Sequence, residues 1–231
     1  VALNKLQAGV IRNSGSLEAS SISNKGGVIT LEGDDITLSS TSRISATGAT
    51  GGGTVLVGGD WQGSGSLRQA THVAMDAGAS IDASATQQGD GGKVVLWSDV
   101  HNADSATSVA GNIRTVGGTQ GGYGGQIETS GHYLKVDPAV SIAAGAANAT
   151  GTKGLWLLDP TDVTIVDGSQ QSLLGDMLLS GDWSTPYAYL QSKSYSTMGA
   201  ITGTTIDVAV IANTLRSGSP TTVMSITTSN M

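Results

Sequence analysis

Gly91-Gly92-Lys93-Val94-Val95-Leu96-Trp97 is the stretch on which the fold turns. A pair of glycines leads into a brief apolar strand. The unit also stands at Gly26-Gly27-Val28-Ile29-Thr30-Leu31, Gly52-Gly53-Thr54-Val55-Leu56-Val57 and Gly124-Gly125-Gln126-Ile127-Glu128-Thr129. A degenerate copy, Lys153-Gly154-Leu155-Trp156-Leu157-Leu158, closes the series. Counted from the last glycine of each copy, the spacings are 26, 39, 33 and 29 residues. Repeats of that length signal stacked supersecondary units.

A second pattern runs in phase with the first: a lone aliphatic between small or polar residues. Its copies centre on Leu17, Ile44, Ile81, Ile113 and Ile142, at spacings of 27, 37, 32 and 29 residues. A looser third strand lies between the two, at Asp35–Leu38, His72–Met75 and Tyr133–Val136. Three short alternating strands with Gly, Asn, Asp and Ser turns make one coil of a parallel β-helix. Five or six coils at ~4.8 Å each give a rod about 25–30 Å long.

Alternation within the glycine-led strand fixes which side chains face the core. The second residue points inward (Ile29, Val55, Val94, Ile127, Trp156), and so does the fourth (Leu31, Val57, Leu96, Thr129, Leu158). The first and third point to solvent, a place that suits Lys93, Gln126 and Glu128. Trp97, the fifth, fits either side. The paired glycines mark a corner that needs positive φ or close backbone approach.

Longer intervals mark loops. Gly58 to Thr71, with Trp61, and Ser98 to Val109 are expected to project from the rod. The glycine-rich run 117–125 reads as a flexible turn and lacks the Lys-Ser/Thr of a phosphate loop. Coils are expected over residues 1–166 and an aromatic-bearing insertion outside the coils over 167–204. A short helix and a return strand follow over 205–231. Thr205 is the expected N-cap of that helix and Gly218 its stop.

Composition agrees with a thin-cored solenoid. Glycine numbers 34, aromatic residues make up 4 % and phenylalanine is absent. The net charge of −7 offers no basic stripe for phosphates, so nucleic acid is not an expected partner. Cysteine is absent, which rules out disulfides, zinc ribbons and thiol nucleophiles. No apolar run approaches the ~20 residues of a membrane helix. Val1-Ala2-Leu3-Asn4 has neither a charged nor an apolar leader segment, and the last residues read as a strand entering a turn. Both ends are expected to belong to a longer chain.

Chemistry is thinly signalled. Asp34, Asp35, Asp82, Asp90, Asp99, Asp159 and Asp162 form no evident catalytic pair with a base. His72, His101 and His132 lie in separate repeats, so no metal site or cofactor is expected and no enzyme activity is assigned. The candidate ligand-binding residues are the loop aromatics Trp61, Trp183, Tyr187, Tyr189 and Tyr195, which suit glycan stacking or protein contacts.

Four stretches resemble secreted exoproteins of the filamentous-haemagglutinin type, the passengers of bacterial two-partner secretion. They are GGKVVLWSD (91–99), GNIRTVGGTQGGYGGQIETSG (111–131), GLWLLDPTDVTIV (154–166) and IANTLRSGSPTTVMSITTSN (211–230). The resemblance implies a right-handed parallel β-helix and export through an outer-membrane β-barrel transporter. It also implies a place outside a Gram-negative cell or on its outer-membrane surface. Adhesion or matrix and fibre building is the function it implies. The family's Asn-Pro-Asn motifs are absent, which places the chain in the shaft beyond the secretion domain. A carbohydrate- or host-protein-binding module acting through the aromatic insertion is the alternative. A polysaccharide-degrading β-helix enzyme is the third reading, and self-association through coil edges is a further expectation.

Overall fold

The computed structural model describes residues 3–7, 9–147, 153–166, 204–217 and 222–228. Nineteen strands are described, and every pairing between them is parallel. They wind as a parallel β-helix with three faces. Sheet one stacks β1 (Leu3–Gln7), β4 (Val28–Glu32), β7 (Thr54–Val57), β10 (Lys93–Trp97), β13 (Gln126–Ser130), β16 (Gly154–Leu158) and β19 (Thr222–Ile226). Sheet two stacks β2 (Val10–Asn13), β5 (Asp35–Leu38), β8 (His72–Met75), β11 (Ala106–Val109) and β14 (Tyr133–Val136). It ends with β18 (Thr205–Asp207) and β17 (Thr164–Val166), in that order. Sheet three stacks β3 (Ser16–Glu18), β6 (Arg43–Ser45), β9 (Ser80–Asp82), β12 (Asn112–Arg114) and β15 (Ser141–Ala143).

The glycine-led strands lie in register, so like positions form columns. Ile29, Val55, Val94, Ile127 and Trp156 are fully buried in one column, and Leu31, Val57, Leu96, Thr129 and Leu158 in the next. Sheet three adds Ile44, Ile81, Ile113 and Ile142 to the same core. Thr129 is the polar exception in its column. Its Oγ1 accepts the indole N–H of Trp156 at 3.0 Å, so the large ring at the end of one column explains the hydroxyl in the other.

The paired glycines serve the close approach of backbones, since none of them has positive φ. The second glycine's N–H donates to the carbonyl that ends sheet three: Gly27 to Ala19, Gly53 to Ala46, Gly92 to Ala83 and Gly125 to Thr115, all at 2.7–2.8 Å. The first glycine meets the same carbonyl one coil on. A Cβ at Gly52 would sit 1.9 Å from the Ala83 oxygen, and one at Gly91 1.9 Å from that of Thr115.

Other expectations need revision. The interval Ser98–Val109 is only partly loop, because β11 occupies its end. Thr107, not an aliphatic, fills the inward position there, which hid the strand. The run 117–125 is layered on the turn before it: Gly89 donates to Gly121 O at 2.7 Å and Gln120 to Gln87 O at 2.7 Å. The first coil, β1 to β3, lacks paired glycines altogether.

The far end departs from simple winding. Strand β18 sits between β14 and β17. Thr204, just before it, bonds both sides: its Oγ1 accepts the Leu134 N–H at 2.9 Å and its carbonyl the Thr164 N–H at 2.8 Å. Helix α1 (Val208–Ser217) then packs against β15, β18 and β19. It begins later than the apolar spacing suggests. Ile206 stays in the strand and in the core, and Asp207, not Thr205, caps the helix by accepting the Ala209 N–H at 2.7 Å. Gly218 lies outside the described residues. A helix is ~10 Å across and strands stack at ~4.8 Å, so α1 takes about two strand places. Among the described residues sheet three has five strands where its neighbours have seven, and the helix packs against β15, the last of the five.

Gly91→Ala should therefore destabilise by about 1–3 kcal/mol or more, because its Cβ meets a backbone carbonyl that cannot swing away. Gly15→Ala, with nothing near its Cβ, should be neutral. Urea midpoints followed by circular dichroism check the pair. Thr129→Val should cost about 1–3 kcal/mol by stranding the Trp156 indole N–H, and the same measurement reads it.

Candidate functional site: the covered face of sheet one

Alternation sends Leu56, Val95, Trp97 and Glu128 away from the core, yet all four are buried. The cover is the segment Gly58 to Thr71. Instead of projecting, it folds back over sheet one through a single 3-10 turn at Trp61–Gly63, which packs on β10 and β13. Leu56, Val95, Trp97 and Val100 form a second apolar cluster beneath it, with Trp61 and Leu67 against the rim. Trp97 is thus outward-facing and only 2 % exposed. Its indole N–H donates to Gln69 Oε1 at 2.8 Å. Cβ atoms at Gly59 or Gly63 would meet its ring at 2.5 and 2.6 Å, so both glycines fit the segment to the indole.

Glu128 was expected in solvent, and the structure overturns that. Gln62, the one described non-glycine residue with positive φ (52°), aims its backbone N–H at Glu128 Oε2, 2.8 Å away. The Ser130 hydroxyl donates to Oε1 at 3.1 Å. Ser130 Oγ also accepts the Asp159 N–H at 3.2 Å, and Thr227 donates to Asp159 Oδ1 at 2.9 Å. Burial pushes the Glu128 carboxyl up from 4.5 to about 7. The Gln62 and Ser130 bonds pull it down, nearby Asp159 pushes it up, and Lys93 pulls it down a little. A carboxyl that burial makes hold its proton more tightly, near a second acid, has the electrostatics of a general acid. Both its oxygens, however, are engaged by protein donors and closed to solvent.

Trp61 is the one loop aromatic of the candidate set that the described residues contain. It is half-buried, with Lys93 Nζ 5.5 Å from its ring centre, a cation–π arrangement. Trp183, Tyr187, Tyr189 and Tyr195 lie outside the described residues. The structure also pairs charges the sequence left apart: Arg68 with Asp34, His72 with Asp35 at 2.7 Å, and Arg114 with Asp82 at 3.5 Å across adjacent coils. Each joins one acid to one base on an exposed face. Among the described residues, no group of three or more His, Asp or Glu side chains is placed to hold a metal. No described helix is long and apolar enough to cross a membrane.

The class of protein is thus a parallel β-helix solenoid. The chain is similar to the crystal structure of the HMW1 secretion domain from Haemophilus influenzae, with a TM-score of 0.51 and 26 % sequence identity. The match covers 68 % of this chain and 46 % of that one, so this chain spans less than half of that structure's length. No family model and no curated protein matches the chain.

The raised Glu128 carboxyl gives stability a sign against pH. Its folded value lies above its unfolded one, so the contribution is full below about pH 4.5 and is lost as pH rises through about 7. The span corresponds to about 3–4 kcal/mol, at ~1.4 kcal/mol per unit. Urea midpoints at pH 5 and pH 8 should therefore differ, and Glu128→Gln should remove most of that difference.

Proposed function

We propose that this chain is β-helical shaft from a secreted bacterial exoprotein of the two-partner secretion type, serving adhesion or matrix and fibre building at the cell surface. The similarity to a secretion domain is the observation that supports the exported, two-partner part of the reading. Physical grounds support it. From β1 to β15 each strand pairs only with strands of the adjacent coils, so a chain emerging from a pore in extended form can wind coil by coil. Cysteine is absent, so no oxidation step is needed to finish the rod. An outer-membrane transporter is the partner this route requires. The division at residues 166 and 204 belongs to the same proposal, with coils, an insertion, then a return to the rod.

The name of the similar structure favours a second placement, within a secretion domain and not beyond one. Removing the two coils at 91–143 from the exported protein separates the two. The shaft reading expects release into the medium at close to the normal level. Loss of release, with the shortened protein held in the periplasm, overturns the shaft reading and assigns a secretion role.

A binding module is the alternative activity, with Trp61 and the aromatics of 167–204 stacking on glycan or meeting a host protein. Trp61→Ala and deletion of 167–203, which spares the rod residue Thr204, should each weaken binding to a polysaccharide array or to host cells. Binding that both variants leave unchanged rejects that alternative. New reducing ends or unsaturated products from acidic or neutral polysaccharides would instead establish an enzyme.

A further inference from the structure

The covering segment is closed at its base and hinged within. The Gly58 N–H donates to Leu31 O at 2.9 Å and the Gly58 carbonyl accepts the Ala70 N–H at 2.7 Å, so both ends are pinned at one place. Between them, Gly63 and Gly65 have positive φ (62° and 77°), and Gln62 holds the left-handed conformation that side chains disfavour. That residue supplies the amide bonded to Glu128.

Four elements surround the carboxyl: β10, β13, the 3-10 turn and the segment after β16. The charged groups they turn toward it are Lys93 and Asp159. Within the covering segment, Asp60 is occupied by the Trp61 N–H at 2.7 Å, and Arg68 is paired with Asp34. His132 faces the Val100 carbonyl and the Thr161 hydroxyl instead. The ionised carboxylate has two protein donors described, Gln62 N–H and Ser130 O–H, for about four lone-pair sites, and water is shut out. Closure of the segment is thus compatible with a neutral Glu128 and opposed by a charged one.

We propose that residues 58–71 form a pH-operated latch, closed over sheet one while Glu128 is protonated and lifted when Glu128 ionises. Lifting returns the carboxylate to water, breaks the Gln62 and Gln69 bonds, and uncovers Leu56, Val95, Trp97 and Val100. The closed state strengthens as the medium acidifies and loosens toward neutrality.

Hydrogen exchange of the intact chain, read by mass spectrometry on peptides within 58–71, tests this. After correction for intrinsic exchange, protection should fall by up to about tenfold per pH unit between about pH 5 and 7 and then level off. Peptides from β10 should keep their protection throughout. Glu128→Gln should give a flat profile, while Asp159→Asn should keep the step and move it to lower pH. A flat wild-type profile, a step that survives Glu128→Gln, a step that Asp159→Asn leaves in place, or parallel loss in β10 would each overturn the latch.

Discussion

The rod depends on one contact between backbones. At the corner between sheets three and one, a carbonyl accepts an N–H from the second glycine of a pair, while the first glycine of the pair below lies against the same oxygen. Side chains have no room there. With that approach in place, coils stack in register, aliphatic columns align, and a core one or two side chains wide is dry enough to hold the structure. Alanine at the end of the sheet three strand belongs to the same constraint. Ala46, Ala83 and Ala144 are fully buried beside the corner, where larger side chains would part the coils.

The outer face of sheet one shows a different economy. Glu128 gives up water for two hydrogen bonds and a neighbouring acid, which raises its affinity for a proton. The apolar cluster around Trp97 favours closure of the same segment. Packing and charge therefore oppose each other at one place, and pH decides by how much. The strained backbone of Gln62 sits where those two influences meet, as strained residues commonly do at switching segments.

The periodic part of the fold was legible because each repeat states it again. Ile29, Val55, Val94 and Ile127 share a column that alternation alone predicts. Glu128 was not legible, although alternation gives its direction correctly, because burial came from residues some sixty positions earlier. Trp61-Gln62-Gly63 carries no pattern that names its target. Strand β11 was hidden because Thr107 satisfies its hydroxyl internally, on the Ser130 carbonyl at 2.7 Å, and so replaces an aliphatic. The order β14, β18, β17 reverses chain order at the end of sheet two, and local sequence does not encode order among similar strands. Thr205 lost the cap to Asp207 because Ile206 had a place in the core.

That reversed order has a mechanical meaning. Thr164 and Thr204 are bonded to each other, so the two points of the rod that flank residues 167–203 in sequence lie side by side. The entropy of closing an excursion between fixed ends grows only with the logarithm of its length. The two strands are thus indifferent, to within a small free energy, to the length of chain that links them. A junction of that kind lets the length of the link change over evolutionary time while the pairing of β17 with β18 stays the same.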